Sequence, residues 1–436
     1  MLSHVVRAIR SAGVDDVVVV ASPAIQADPR WHEETRELDV AVQPQPLGTG
    51  HALQAALPAL PDDAETIVVA FADHPLLLPA SVDALLGARS GKGVRVAVLT
   101  CVLDDPAGYG RIDRDAAGNV VGVVERKDDD AALRVGPTEV NSGMMALDAV
   151  WARGAIGRVA PSRTTGELYL TELVRLAVAD ALGGTDGWPV VTVPGTPDEL
   201  VGVNDRVDLA RVDELMRSRI REGHMRAGVT MVGPGSITVD TDVEIGPDTT
   251  VYPGTLLLTG TRIGAGCTVG PNAIVERSVI GDGCVVRSST VVDSTMEPGS
   301  DVGPYSHLRG GTLLGERVHV GNFAELKNAR LSADVRVGHV GYLGDATVGA
   351  RTNVGAGTIT CNFDGVAKHE TTIGADVFVG SDSMLVAPVT LGDGSATGAG
   401  SVVTRDVAPG RTVVGVPARP IGSAVRERQP KRAQGA

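Results

Sequence analysis

The stretch IGPDTTVYPGTLLLTGTRIGAGCTVGPNAIV (residues 245–275) places an aliphatic residue at every sixth position: Ile245, Val251, Leu257, Ile263, Val269 and Val275. The spacing resumes at Val302, Leu308, Leu314, Val320 and Leu326, then at Leu331, Val337 and Leu343, and again at Ile373, Val379, Leu385 and Leu391. Gly often follows directly, as at Gly264, Gly270, Gly281, Gly338 and Gly374. A six-residue period is the signature of a hexapeptide parallel β-helix. Each hexapeptide supplies one short strand, whose aliphatic residue points inward, and one corner, where Gly or a small polar residue avoids a Cβ clash. Three strands close a coil, and stacked coils bury a column of side chains that no single repeat can bury alone. The reading predicts about ten coils of about 18 residues each, from Val229 to Val416.

The 436 residues exceed what one solenoid segment needs, so at least two domains are expected. Helical patterns alternate with short apolar strands over residues 1–203: a helix near Leu2–Ala12, strands Val17–Ala21 and Val40–Val42, a helix at His51–Leu57, strand Ile67–Phe71, a helix near Ser81–Ala88 and strand Val94–Leu103. Such alternation predicts a parallel α/β sheet wound on both faces, and it draws attention to Gln43 and Asp73 at strand ends. A connecting helix follows over 204–226, with Asn204 as its N-cap and Val207, Val212, Leu215, Met216 and Ile220 as its apolar stripe. The β-helix domain then occupies 227–420, and the polar stretch 421–436 is expected to be a disordered tail.

A net charge of −14 argues against nucleic acid or an anionic membrane as partner. The four cysteines, Cys101, Cys267, Cys284 and Cys361, have no metal-ligand spacing, which fits reduced thiols. With no long apolar run and no signal peptide, a cytoplasmic location is expected.

One interruption breaks the solenoid. Val354 and Ile373 stand 19 residues apart, and the intervening TCNFDGVAKHE (360–370) does not read as strand. An excursion from a strict repeat is usually a binding loop. Around it lie Arg309, Lys327, His339, Tyr342, Asn353, Asn362, Lys368 and Ser381, polar residues that a plain solenoid does not need. Acyl transfer to an amine fits this set. A protonated amine cannot attack a thioester, so a base of near-neutral pKa is required, and His339 has that chemistry. Arg309, Lys327 and Lys368 suit a phosphorylated substrate. Asn362 and Ser381 can steady an oxyanion or an amide-bearing arm.

The strings LGTGHA (47–52), DDPAGYGRI (104–112), VERKD (124–128), EVNSG (139–143), GELYLTEL (166–173) and GVNDR (202–206) in the first half carry a family resemblance. So do VGNFAELKNARL (320–331), GHVGYLGDA (338–346), NVGAGTITCNFDG (353–365) and VFVGSDSMLVAPVTLG (377–392) in the second. In this order they resemble the bifunctional N-acetylglucosamine-1-phosphate uridyltransferase/glucosamine-1-phosphate acetyltransferase family. The resemblance implies an α/β nucleotidyltransferase-like (Rossmann-like) first domain and a left-handed parallel β-helix, assembled as a homotrimer. It implies His339 as base, with Arg309, Lys327, Tyr342, Asn353 and Lys368 on the sugar phosphate. Ala356, Asn362, Phe363, Ser381 and Ala399 would line the acetyl-CoA path; the end VVGVPARP (413–420) is closer to hexapeptide acyltransferases in general, a likeness that would set Arg419 on the CoA phosphate. In the first half it implies Gln43, Gly48 and Thr49 on uracil, Gly110, Glu125 and Asn141 on the sugar, and Asp73 and Asn204 on Mg²⁺.

Departures from the family pattern are visible. Phe363 stands for the usual Tyr, Gly341 for Thr, Pro46 for a second Gln, LRGG (308–311) for LRPG, and FADHP (71–75) for YGDxP. The family also has a strand and a Gly-rich LAAGxGTRM loop, which grips the nucleotide triphosphate, ahead of the segment that resembles MLSHVV (1–6). The first domain is therefore expected to be N-terminally truncated, through a start codon placed too late or a degenerate scaffold. The expectation for this sequence is acetyl transfer without uridylyl transfer. Three rivals stay open: a hexapeptide acyltransferase for another amino or hydroxy sugar with a non-catalytic first domain, a metal enzyme using His307, His319 and His339, and a non-catalytic nucleotide-sugar binder.

Overall fold

A computed structural model of the chain describes residues 1–106, 108–126, 136–181 and 187–423. Lys127 and Asp128 of the VERKD string, and 424–436 of the expected tail, lie outside the described residues. The chain forms two compact units, Met1–Met216 and Arg217–Ala436.

In the first unit the expected elements form close to their expected places: helices Leu2–Ser11, Thr49–Ala56 and Pro79–Arg89, and strands Val18–Ala21, Asp39–Val42, Thr66–Val69 and Val96–Leu103. Alternation along the last strand explains the layering. Val96 and Val98 pack with Leu53, Leu173 and Val174 on one face, whereas Ala97 and Leu99 pack with Val5, Ile9, Val82 and Leu85 on the other. Helices thus cover both faces. The sheet itself is mixed, which corrects the all-parallel expectation. Val96–Leu103 runs parallel to Val190–Pro194 but antiparallel to the long strand Thr138–Asp148, which also pairs antiparallel with Thr66–Val69 and Arg111–Arg114. The reversal comes from a hairpin between Arg111–Arg114 and Val120–Val124. Its turn is written in DAAGN (115–119): Asp115 accepts the N–H groups of Ala117 and Asn119, and Gly118 takes φ +85°. Val18–Ala21 and Asp39–Val42 form a separate parallel pair, with no ladder to the larger sheet among the described residues.

Helix Arg206–Arg226 crosses the division between the units. Its cap is Asp205, whose carboxylate accepts the N–H groups of Val207 and Asp208, not the expected Asn204. Val207, expected in the apolar stripe, is 77 % exposed, while Val212 is buried and Ile220 packs on the β-helix core.

The second unit is a parallel β-helix with strands from Thr230–Met231 onward. Its six-residue period resolves into three stacked columns. Ile245, Ile263, Ile280, Met296, Leu314, Leu331, Val348, Ile373 and Leu391 follow one another down one face. Val251, Val269, Val286, Val302, Val320, Val337, Val354 and Val379 descend the second. Leu257, Val275, Val291, Leu308, Leu326 and Leu343 descend the third. Nearly all are under 2 % exposed, so each contributes the full transfer energy of its side chain. At the far end Arg419–Ser423 turns back antiparallel on Arg411–Val414, so the ordered fold runs three residues past the expected limit of 420.

Candidate active sites

In the β-helix, register brings the candidate residues into two columns. Asn322 pairs with His339, and the same ladder continues one residue further along each coil. The N–H of Gly357 donates to Val340 O at 2.6 Å, that of Asp382 to Ala356 O at 2.7 Å, and that of Gly400 to Ser381 O at 2.8 Å. Asn322, His339, Ala356, Ser381 and Ala399 therefore occupy one edge of five successive coils. Of the residues expected along the acetyl-CoA path, Ala356, Ser381 and Ala399 follow directly beyond the expected base, whereas Asn362 and Phe363 lie on the interrupting segment.

The exposed His339 ring is held by one contact: its Nδ1 lies 2.8 Å from Asn322 Oδ1. A carboxamide oxygen only accepts, so Nδ1 is the donor, and Nε2 is the nitrogen left to act as the base in the neutral ring. Asn322 was not legible in the sequence as a functional residue. Its position 17 residues before His339, one coil away, is the signal that could have found it.

Five residues further along the same coils, Arg309 pairs with Lys327, and Lys327 with Gly344. Glu325 binds the Arg309 guanidinium, with Nε at 2.8 Å from Oε1. Lys368 lies against Lys327. Its ammonium, with Arg309 beyond, keeps Lys327 below the usual lysine pKa. Three cations face only Glu325 and Asp345 in the described contacts, and the excess positive charge suits an anion. Gly344 shows how tightly this group is built. A Cβ there would sit 2.6 Å from the Tyr342 ring and 2.7 Å from Asn362 Nδ2, so only glycine lets Tyr342 and Asn362 meet over it. Asp345 anchors the far side, accepting from Asn362 Nδ2 at 2.6 Å and Asn328 Nδ2 at 2.7 Å. Burial opposes its ionisation, but these two amides and the nearby Lys368 and Lys327 leave its carboxyl below the usual range.

Asn353 stands apart from this group. It pairs with Arg336 and Phe378, three residues upstream of Ala356. Phe363 is exposed on the interrupting loop, and Arg419 Nη1 donates to the Ala418 carbonyl at 3.2 Å. Among the described residues no three His, Cys, Asp or Glu side chains converge on a metal-sized site, and His319 pairs with Asp301 at 2.8 Å. The four cysteines are unpaired. No helix among the described residues is long and apolar enough to cross a membrane.

In the first unit, the quoted strings are knitted together. LGTGHA meets GELYLTEL through three bonds: Leu168 N–H to Leu47 O and Gly50 N–H to Leu168 O, both 2.7 Å, and Leu170 N–H to Thr49 Oγ1 at 3.0 Å. Gly48 takes φ +104°, and a Cβ there would lie 2.6 Å from Leu168 O, so the position requires glycine twice over. The Gln43 amide donates to Gly48 O at 3.0 Å, which fixes its head beside that turn. Gly110 O accepts the Asn141 N–H at 2.8 Å, and a Cβ on Gly110 would lie 3.5 Å from Glu125 Oε2. Glu125 in turn accepts the Thr171 hydroxyl at 2.7 Å.

Asp73 O accepts the Val203 N–H at 2.9 Å, which brings Asp73 and Asn204 side by side. His74, 3.2 Å from the Asp73 carboxylate, holds that carboxyl below its usual range. The Asn204 amide nitrogen is turned to Asp208 at 3.3 Å, which leaves its oxygen outward. One ionised carboxylate and one amide oxygen suit a hard divalent cation that keeps most of its waters, so the donors fit Mg²⁺.

Comparisons with known proteins place both halves. Residues 1–118 match the MobA-like NTP transferase domain, 242–277 and 370–405 the bacterial transferase hexapeptide (six repeats), and 268–357 the GlmU-like C-terminal hexapeptide. Proteins called bifunctional protein GlmU are similar along most of their length. The one from Nocardia farcinica is 44 % identical over 91 % of this chain and 79 % of its own. That from Pseudomonas fluorescens is 43 % identical over 95 % and 89 %, and that from Mycolicibacterium vanbaalenii 42 % over 99 % and 88 %. These matches run through the first half as well as the second, and they lend no support to a scaffold-only first domain or to a different acyltransferase. The chain belongs to the GlmU family, with a nucleotidyltransferase-like domain followed by a hexapeptide β-helix.

Proposed function

We propose that the β-helix N-acetylates glucosamine 1-phosphate with acetyl-CoA, and that the first domain transfers uridylyl from UTP to the N-acetylated product. The observation that carries the first activity is the edge on which His339, its Nδ1 engaged by Asn322, is followed by Ala356, Ser381 and Ala399. His339 Nε2 takes a proton from the sugar ammonium, and the freed amine attacks the thioester carbonyl. The tetrahedral oxyanion is steadied by neutral donors, for which Asn362 and Ser381 are the candidates. Collapse breaks the C–S bond, the imidazolium returns its proton to the leaving thiolate, and the new amide nitrogen sheds its second proton to solvent. Arg309, Lys327 and Lys368 bind the phosphate and so place the amine at His339. Tyr342, Asn353 and Phe363 complete the substrate contacts, and a homotrimer is the assembly in which this fold would operate.

In the first domain Gln43, Gly48 and Thr49 hold uracil, and Gly110, Glu125 and Asn141 hold the sugar. Asp73 and Asn204 would hold Mg²⁺, which when bound neutralises phosphate charge. A paired assay tests both halves: thiol release from acetyl-CoA with glucosamine 1-phosphate, and pyrophosphate release from UTP with N-acetylglucosamine 1-phosphate. Thiol release that is no faster with the phosphorylated sugar than with glucosamine would refute the role of the cation cluster. Absence of pyrophosphate release would refute the second activity.

A further inference from the structure

The segment that interrupts the solenoid is closed by a His–carboxylate pair that the acetyl-transfer steps do not use. Residues 362–370 fold back as a hairpin in which Phe363 and Lys368 form an antiparallel bridge. The His369 N–H donates to Asn362 O at 2.7 Å, and the Asp364 N–H to Ala367 O at 3.1 Å. Asp364 Oδ1 accepts the N–H groups of Val366 and Ala367 at 2.8 and 2.7 Å, while Oδ2 lies 2.7 Å from His369 Nε2. The Ala367 amide, His369 and the Val366 amide together hold this carboxyl well below the usual range.

Side chains alternate across an antiparallel ladder. Phe363 and Lys368 therefore share one face of the hairpin, and Asn362, Asp364 and His369 share the other. The bridge couples a residue on the acetyl-CoA path to one in the phosphate cluster, and the pair that clips the hairpin lies behind them. We infer that His369 and Asp364 are positioning residues, whose bond fixes the hairpin so that Phe363 and Lys368 are presented together to the two substrates. This rests on the acetyltransferase reading of the site. Both residues lie on an exposed loop, so replacing them leaves the aliphatic columns intact.

The test uses the full chain with His369→Phe, Asp364→Asn and His369→Lys. Two readouts are taken: KM and kcat for acetyl transfer, and amide hydrogen exchange at Ala367 and His369 in the free protein. Loss of one partly exposed, charge-assisted bond that orients a binding group should raise both KM values by about threefold to tenfold in the first two variants, with kcat within about twofold. Exchange at the two amides should quicken in both. His369→Lys, which puts an N–H donor back within reach of the Asp364 carboxylate, should return both KM values to within about twofold of wild type. Unchanged exchange, or KM values within twofold of wild type in both His369→Phe and Asp364→Asn, overturns the inference. A wild-type chain that acetylates no amino sugar phosphate overturns the underlying reading instead, and the exchange rates then still decide whether the pair holds the hairpin.

Discussion

Replacing Asn322 with Ala removes the hydrogen bond that orients the His339 ring among the described residues, without touching either substrate group. The bond is 2.8 Å long and made between neutral groups at the surface. Such a bond contributes about 0.5–1.5 kcal/mol net. At 1.36 kcal/mol per decade, its loss corresponds to a fall in kcat of about twofold to about twelvefold. A loss of about fourfold, within that range, is expected here, because without the acceptor the imidazole divides between tautomers and between two ring flips, and only one of the four places an unprotonated Nε2 at the amine. KM for glucosamine 1-phosphate, set by Arg309, Lys327 and Lys368, should stay within about twofold. Asn322→Asp keeps an acceptor and adds a charge, which favours imidazolium, so it should restore orientation but move the acidic limb of the pH–rate profile upward. Steady-state thiol release across pH 6–9 measures all of this. An Asn322→Ala enzyme with wild-type kcat, or one in which KM rises while kcat holds, would refute the claim that this bond orients the base.

Other consequences follow from single contacts. Lys327 titrates below an ordinary lysine because Lys368 lies against it, so it gives up its proton, and KM for the sugar phosphate rises, earlier on the alkaline side. Lys368→Ala removes that repulsion and should move the alkaline limb of 1/KM to higher pH even as affinity falls; a limb that moves down would contradict the assignment. Leu326→Ala, in a column position that is 0 % exposed, should cost about 2–5 kcal/mol of stability by denaturant unfolding. Gly48→Ala forces a Cβ against the Leu168 carbonyl in a left-handed backbone, so uridylyl transfer should fall by at least about tenfold while acetyl transfer is unchanged.

The β-helix was legible because one physical requirement, an inward aliphatic residue per strand, repeats at a fixed interval, and the observed columns are the residues that keep it. The site was legible where chemistry concentrated at the break in the repeat: His339, Lys327, Lys368 and Asn362 were all visible. Asn322, Glu325 and Asp345 were not, because a residue that orients another across a coil is separated from it by 16 or 17 positions in sequence and resembles any surface polar group. The sheet of the first domain was misread as parallel. Alternating helices and strands near its start have the period of parallel units, but the reversal depends on a five-residue turn at Asp115–Asn119, a local signal that periodicity does not register. Asn204 was misplaced as a cap because Asp205 beside it caps equally well, and the Asn204 carboxamide turns to Asp208 instead.

The central claim is that His339 removes the proton from the attacking amine. His339→Ala, assayed for thiol release from acetyl-CoA with glucosamine 1-phosphate, should lose about 10²–10⁴-fold in kcat with both KM values within about threefold. A loss of less than about tenfold would contradict the assignment of the base.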